Sequence, residues 1–354
     1  MTTSGRSQDL PPSCLPSVGP PDSPPDGPPS CLPPPGPPSD LSQAFHAGPL
    51  VLDGGLAAEL ERSGHDLSGS LWSARLLQDD PEALVRGHAQ FVRAGAQVLT
   101  TASYQASYEG FAQAGIEPEE TTRLLFRSVA LARRAAGDLA DSDGPDRVWI
   151  AASVGPYGAM LADGSEYTGA YAVPKGPVDV AALRAFHARR LEVLARAGAD
   201  VLACETIPCA AEAEALLREL DGLGVPAWLS LTTVTGGDGV VRTRAGERAQ
   251  EVFALARDVR EVIAVGVNCT DPAGVSTAVR VAARASGKPV VVYPNSGESW
   301  DSRARAWRGE PEFDRQDLAG WLHDGARLIG GCCRVTPEQI AWIRQVLPAG
   351  NGPV

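Results

Sequence analysis

The fold class this sequence predicts is α/β, specifically a (β/α)8 TIM barrel carrying a disordered proline-rich N-terminal extension. Three observations predict it. Eight short apolar runs lie at 50–54, 97–103, 148–154, 200–205, 226–232, 262–268, 289–293 and 326–330. Most are continuous rather than alternating, as parallel strands buried on both faces should be. Helical stretches rich in Ala, Leu and Arg separate them, giving eight strand–helix units in about 300 residues. Finally, polar residues gather just past the ends of the runs, and a barrel would open all of these ends onto one mouth. An open doubly wound sheet fits less well, because Asp53-Gly54-Gly55-Leu56 lacks the spacing of a glycine-rich nucleotide fingerprint.

Along the chain, residues 1–47 form a separate region. Fourteen of the first forty residues are proline, mixed with Ser, Gly and Asp, a composition that predicts disorder or intermittent polyproline II. Cys14 and Cys31 fall here and receive no role. The barrel is expected over 48–348, with a flexible tail at 349–354. In Asp80–Val92 the apolar positions 84, 85, 88, 91 and 92 share one helical face behind an Asp cap. His88 lies on that face and reads as a packed core histidine. The strand ends carry Asp53-Gly54, Thr100–Tyr104, Gly155–Gly158, Cys204-Glu205-Thr206, Thr232-Thr233, Asn268-Cys269, Pro294–Gly297 and Gly331-Cys332-Cys333. After the last of these, Thr336-Pro337-Glu338 reads as a capped helix start.

Composition narrows the partners. The 354 residues are 44 % hydrophobic and 21 % charged, with a net charge of −12, which argues against nucleic acid and suits a cationic small molecule. No apolar run approaches a membrane span. Seven cysteines without a signal peptide point to the cytoplasm, where thiols stay reduced.

The adjacent pair Cys332-Cys333 has three readings: two buried small hydrophobes, a redox pair or metal ligands. For both sulfurs to reach one ion the backbone must turn, and Gly330-Gly331 permits a turn. A third cysteine, Cys269, shifts the balance toward a metal. Strands 6, 7 and 8 are neighbours in a closed barrel, so Cys269, Asn295 and the cysteine pair converge across 63 positions of sequence. Three thiolates select a soft or borderline ion, usually zinc, with a fourth position open for catalysis. A substrate thiol bound there would lose its proton. Its natural electrophile is a methyl group on a sulfonium or ammonium.

Several segments carry a resemblance: Asp53-Gly54, Ser70–Ser73, Thr101–Ala106, Ser153–Gly158, Leu161–Tyr167, Cys204–Thr206, Val267–Cys269, Tyr293–Glu298 and Gly330–Arg334. Over roughly 48–346 the chain resembles the homocysteine S-methyltransferase family, and most of all its branch using S-methylmethionine, often also S-adenosylmethionine. The resemblance implies a zinc-dependent barrel making methionine from homocysteine, with Cys269, Cys332 and Cys333 as the zinc ligands. Asp53 and Glu205 would hold the homocysteine ammonium, helped by backbone amides near Gly54. Asp53 can also be read as a turn-former and Glu205 as a solvated loop carboxylate. Asn295 is either a labile fourth ligand or a turn residue. Trp72, Tyr104 and Tyr167 either box the methylated cation or simply pack. Cys204 and Cys209 read as buried, and Arg334 as a brace for the ligand loop.

Two alternatives stand beside this reading. One is a betaine-type homocysteine methyltransferase; the other is a non-enzymatic zinc or thiol-redox protein, which would need no Asp53 or Glu205 in the mouth. A phosphate-handling aldolase-type barrel is excluded, because cysteines stand where anion donors belong and no lysine ends a strand.

Overall fold

A computed structural model of the chain describes residues 1, 40–69, 71–137, 147–301, 306–308 and 315–347. The chain divides into two units, Met1–Pro37 and Pro38–Val354, and the barrel belongs to the second. Most of the expected proline-rich head and all of the expected tail lie outside the described residues.

Eight parallel strands form the barrel: β1 (Leu50–Val51), β2 (Val98–Thr100), β3 (Trp149–Val154), β4 (Val201–Ile207), β5 (Ala227–Leu231), β6 (Val262–Asn268), β7 (Val290–Tyr293) and β8 (Ala326–Ile329). Each begins within one residue of its expected run, and each pairs with its sequence neighbours. β1 pairs with β8, Leu50 opposite Leu328, and a parallel bridge between Leu52 and Val98 closes the ring against β2. Two backbone bonds fasten that seam: Asp53 N–H to the Val98 carbonyl at 3.0 Å and Gln97 N–H to that of Val51 at 2.7 Å.

Strand alternation divides the core in two. Leu52, Val98, Trp149, Ala151, Val201, Ala203, Trp228, Val291, Tyr293 and Leu328 fill the barrel interior. Their neighbours, among them Val51, Ile150, Leu202, Leu229, Val265, Val292 and Ile329, pack outward with the helices. Both faces are apolar, which is why the runs read as continuous.

One boundary needs correcting. The sequence pattern ended the disordered head at residue 47, but Leu41–Ala47 is a helix, capped by Asp40 accepting from Gln43 N–H at 2.8 Å. Leu41, Ala44 and Phe45 are buried in the interior cluster with Leu50 and Trp149, at the N-terminal ends of the strands. A helix of seven residues gives too short an apolar period to stand out beside a proline-rich stretch. Two hairpins also left no clear mark in the sequence: Thr233–Thr235 with Val241–Thr243 after β5, and Ser299–Asp301 with Ala306–Arg308 after β7. Among the described residues no helix is long and apolar enough to cross a membrane.

Candidate functional site

Cys269, Cys332 and Cys333 converge at the C-terminal mouth, with all three sulfurs within 4.8 Å of one another. β6 ends at Asn268, and Cys269 turns into the left-handed region, φ 45°. That turn is held on both sides: Cys269 N–H donates to the Tyr293 carbonyl at 3.2 Å, and Thr232 Oγ1 to the Cys269 carbonyl at 3.0 Å. A non-glycine residue in that region is costly, so the surrounding bonds must hold it there. Beyond β8, Gly331 N–H donates to the Asp53 carbonyl at 3.0 Å and Cys332 N–H to that of Pro294 at 2.7 Å. The loop carrying the cysteine pair is thus stitched to the ends of both flanking strands.

The glycines before the pair serve a purpose other than the one expected. The left-handed turn falls on Arg334, φ 64°, and not on Gly330 or Gly331. A Cβ on Gly330 would stand 2.6 Å from the Asp53 carbonyl oxygen, and one on Gly331 would run into the Val335 side chain. Close approach of chain segments therefore excludes a side chain at both positions.

A second difference concerns the state of the thiols. Cys269 and Cys332 are joined as a disulfide, while Cys333 is free with its Sγ 3.9 Å from that of Cys269. Burial pushes the Cys333 thiol up to about 11. Cys204 and Cys209 are buried, as expected.

Two carboxylates lie deep in the mouth. Glu205, on β4, accepts from the Ser153 hydroxyl of β3. Burial raises it to about 7, with the Ser153 and Tyr293 hydroxyls opposing the rise. Asp53 is 1 % exposed and accepts from Thr100 N–H at 2.7 Å. Burial drives it well above the usual carboxylate range, and the Glu205 charge adds to the effect. Among the described residues neither carboxylate has a basic side chain as a partner. Two such groups in one low-dielectric site lack a cation.

Of the remaining expected residues, Tyr104, Tyr167 and Asn295 lie beside these groups. Tyr104 packs its ring against Gly155, where a Cβ would stand 2.8 Å from it. Burial raises its phenol, with Glu166, Glu205 and Cys333 adding to the rise. Tyr167 places its hydroxyl 3.9 Å from Cys333 Sγ. The amide oxygen of Asn295 accepts from Cys333 N–H at 3.2 Å, so it holds the loop that carries the cysteine pair. Trp72 opens a short 3-10 turn with φ 44° and, among the described residues, makes no hydrogen bond or ring contact with the sulfurs or carboxylates. Arg334 braces the loop as expected, pairing with Glu298 at 2.6 Å. His88 is fully buried and, among the described residues, has no hydrogen-bond partner; burial pushes it down to about 4.

Sequence reasoning missed a buried polar network behind the mouth. Glu212 accepts from the Tyr171 hydroxyl, from Tyr157 N–H at 2.6 Å and from His187 Nε2 at 2.8 Å. The other His187 nitrogen lies 2.8 Å from Arg190, whose guanidinium donates to the Gly155 carbonyl at 2.6 Å. Arg190 must donate, so Nδ1 of His187 accepts and Nε2–H faces Glu212. The spacing of His187, Arg190 and Glu212 on two surface-like helices gave no signal of this contact.

Clustered thiols and two buried carboxylates at the C-terminal mouth of a (β/α)8 barrel place the chain in the class of barrel enzymes. A family model described as homocysteine S-methyltransferase matches residues 50–347, and the chain belongs to that family. A homocysteine S-methyltransferase of Bacillus subtilis is 40 % identical over 308 residues, 84 % of this chain and 95 % of that protein. The homocysteine methyltransferase of Escherichia coli, in its metallated form, superposes with a TM-score of 0.73 at 40 % identity, covering 84 % of this chain and 96 % of that one. Its oxidised form gives 0.72, over 84 % and 95 %.

Proposed function

We propose that this protein transfers a methyl group from a sulfonium donor, S-methylmethionine or S-adenosylmethionine, to the thiol of homocysteine, giving methionine in the cytoplasm. The observation that carries the reading is the meeting of three sulfurs and two cation-seeking carboxylates in one barrel mouth, in a chain of this family.

Cys269, Cys332 and Cys333 are the residues that would hold zinc once the disulfide is reduced. Their donor set fits: the 3.9 Å between Cys269 and Cys333 matches the edge, about 3.8 Å, of a tetrahedron built on zinc–sulfur bonds of roughly 2.3 Å. Bound there, zinc would supply a Lewis acid that keeps the acceptor sulfur as a thiolate at neutral pH. Asp53 and Glu205 bind the homocysteine ammonium, whose charge lets both carboxylates ionise in their buried positions. Ser153 and Thr100 hold those carboxylates in place. In the transfer, a lone pair of the acceptor sulfur forms the new S–CH3 bond. The electrons of the old bond stay on the donor, which leaves as a thioether, and the acceptor's thiol proton goes to water. Tyr104 and Tyr167 offer aromatic faces to the sulfonium. Asn295 steadies the Cys333 backbone, and its amide oxygen has a second lone pair for a labile ligand role. The partners are small molecules, with no nucleic acid or membrane involved.

Reduced, zinc-loaded protein incubated with homocysteine and each of S-methylmethionine, S-adenosylmethionine and betaine tests this. Methionine should form with a sulfonium donor, and a chelator should abolish it. Cys332→Ala should lose metal and activity together. Methionine formed from betaine alone, or undiminished turnover by metal-free protein, would overturn the reading.

A further inference from the structure

Glu205 lies near the end of β4 and Cys269 directly follows β6, and these two strands do not pair, because β5 lies between them. One side chain spans the gap. Asn268, the last residue of β6, is fully buried, and its amide meets Thr206, the chain neighbour of Glu205, at two points. Thr206 N–H donates to Asn268 Oδ1 at 2.8 Å, and Asn268 Nδ2 donates to Thr206 Oγ1 at 2.7 Å. The backbone N–H can only donate, which fixes which way the amide points. Both ends of this clasp are irregular. Across β4 and β5, Cys204 pairs with Leu229 and Ile207 with Leu231, so Glu205 and Thr206 together face Ser230 alone. That is a β-bulge, a device that re-aims a side chain and takes one residue out of the ladder. Thr206 is left-handed, φ 59°, a conformation that a β-branched residue keeps only under constraint. At the other end Cys269 is left-handed as well, φ 45°. Asn268 therefore accepts the N–H that the bulge removes from the ladder, and it ties two costly turns to each other.

The acceptor is gripped at two points, its ammonium beside Glu205 and its sulfur beside the cysteines. Homocysteine carries two methylenes between its α-carbon and its sulfur, and cysteine carries one. A pocket discriminates a single methylene only weakly, and only if its two anchors keep their separation. Anchors on unpaired strand ends, each on its own turn, could shift by that much unless something joins them. We propose that Asn268 is a positioning residue that sets the span between the ammonium site at Glu205 and the sulfur site at Cys269, and thereby selects the chain length of the acceptor thiol. The inference rests on the methyl-transfer reading above and adds to it the feature that tells homocysteine from cysteine. Neither hydrogen-bonding group of Asn268 is left over for substrate, since Thr206 engages both. The residue thus acts through Glu205 and Cys269, whose places it fixes, and not by contact with the acceptor.

The test uses reduced, zinc-loaded, full-length protein, titrated by calorimetry with homocysteine and with cysteine. For both acceptors kcat and KM are then measured at saturating S-methylmethionine. Wild-type protein should favour homocysteine. Asn268→Ala should weaken homocysteine binding about 10- to 100-fold and leave cysteine binding within about threefold. The ratio of the two kcat/KM values should fall about tenfold or more, while zinc content and KM for the donor stay as in wild type. Thr206→Val removes one of the two bonds from the other end and should show the same selective loss in smaller measure. It supplies the comparison should Asn268→Ala fail to fold. Because the two side chains act as a pair, combining the substitutions should cost no more selectivity than Asn268→Ala alone. Equal losses for both acceptors, as a general loosening of the fold would give, loss of zinc, or a wild type indifferent to chain length would overturn the assignment. Wild-type protein that methylates neither acceptor would instead defeat the methyl-transfer reading itself.

Discussion

Glu205 illustrates how a buried carboxylate ties binding to pH. Its native value of about 7 stands above the ordinary 4.5. Below about pH 4.5 both native and unfolded chains hold the proton, and the stabilisation is fully present. Between there and pH 7 only the native chain holds it, so stability falls as pH rises through that window, by about 3 kcal/mol in all. Denaturant unfolding of homocysteine-free protein at pH 5 and pH 8 should show this decline, and Glu205→Gln should flatten it. Asp53, raised by the same cause, adds a decline of the same sign that the Glu205 variant leaves in place. At neutral pH, Glu205→Ala should keep its metal content while KM for homocysteine rises at least about tenfold. Wild-type turnover by this variant under limiting homocysteine would refute the role given to the residue.

At the level of elements, the floor of the barrel and the back of its mouth are separately secured. Leu41–Ala47 closes the floor, and Phe45 is 1 % exposed there. Phe45→Ala should cost about 3–5 kcal/mol, read as a lower melting temperature with little change in kcat at 25 °C. Behind the mouth, Glu212 on Ala210–Leu220 and His187 and Arg190 on Val180–Arg196 hold the turn at Gly155–Tyr157. Glu212→Ala leaves the buried Arg190 without its counter-charge. It should therefore destabilise by about 3–5 kcal/mol, checked by denaturant unfolding. A variant within about 1 kcal/mol of wild type would mean that the network is already hydrated.

For the whole molecule, the barrel was legible because parallel strands covered on both sides read as plain apolar runs, and all eight begin within a residue of the expected start. The three cysteines were legible because neighbouring strands bring distant positions together once a closed barrel is assumed. The Glu212 network was not, since it owes its meaning to burial, which leaves no periodic trace. The disulfide between Cys269 and Cys332 was equally hidden, because proximity alone does not fix an oxidation state. The position of the sulfurs has a consequence for biosynthesis. A ribosome delivers Asp53 and Glu205 early but Cys332 and Cys333 only with the final strand, the same strand that shuts the ring against β1. A nascent polypeptide halted before that strand would have neither a sealed cylinder nor the full set of three sulfurs, so an ion held by those sulfurs would have to enter after translation has passed it.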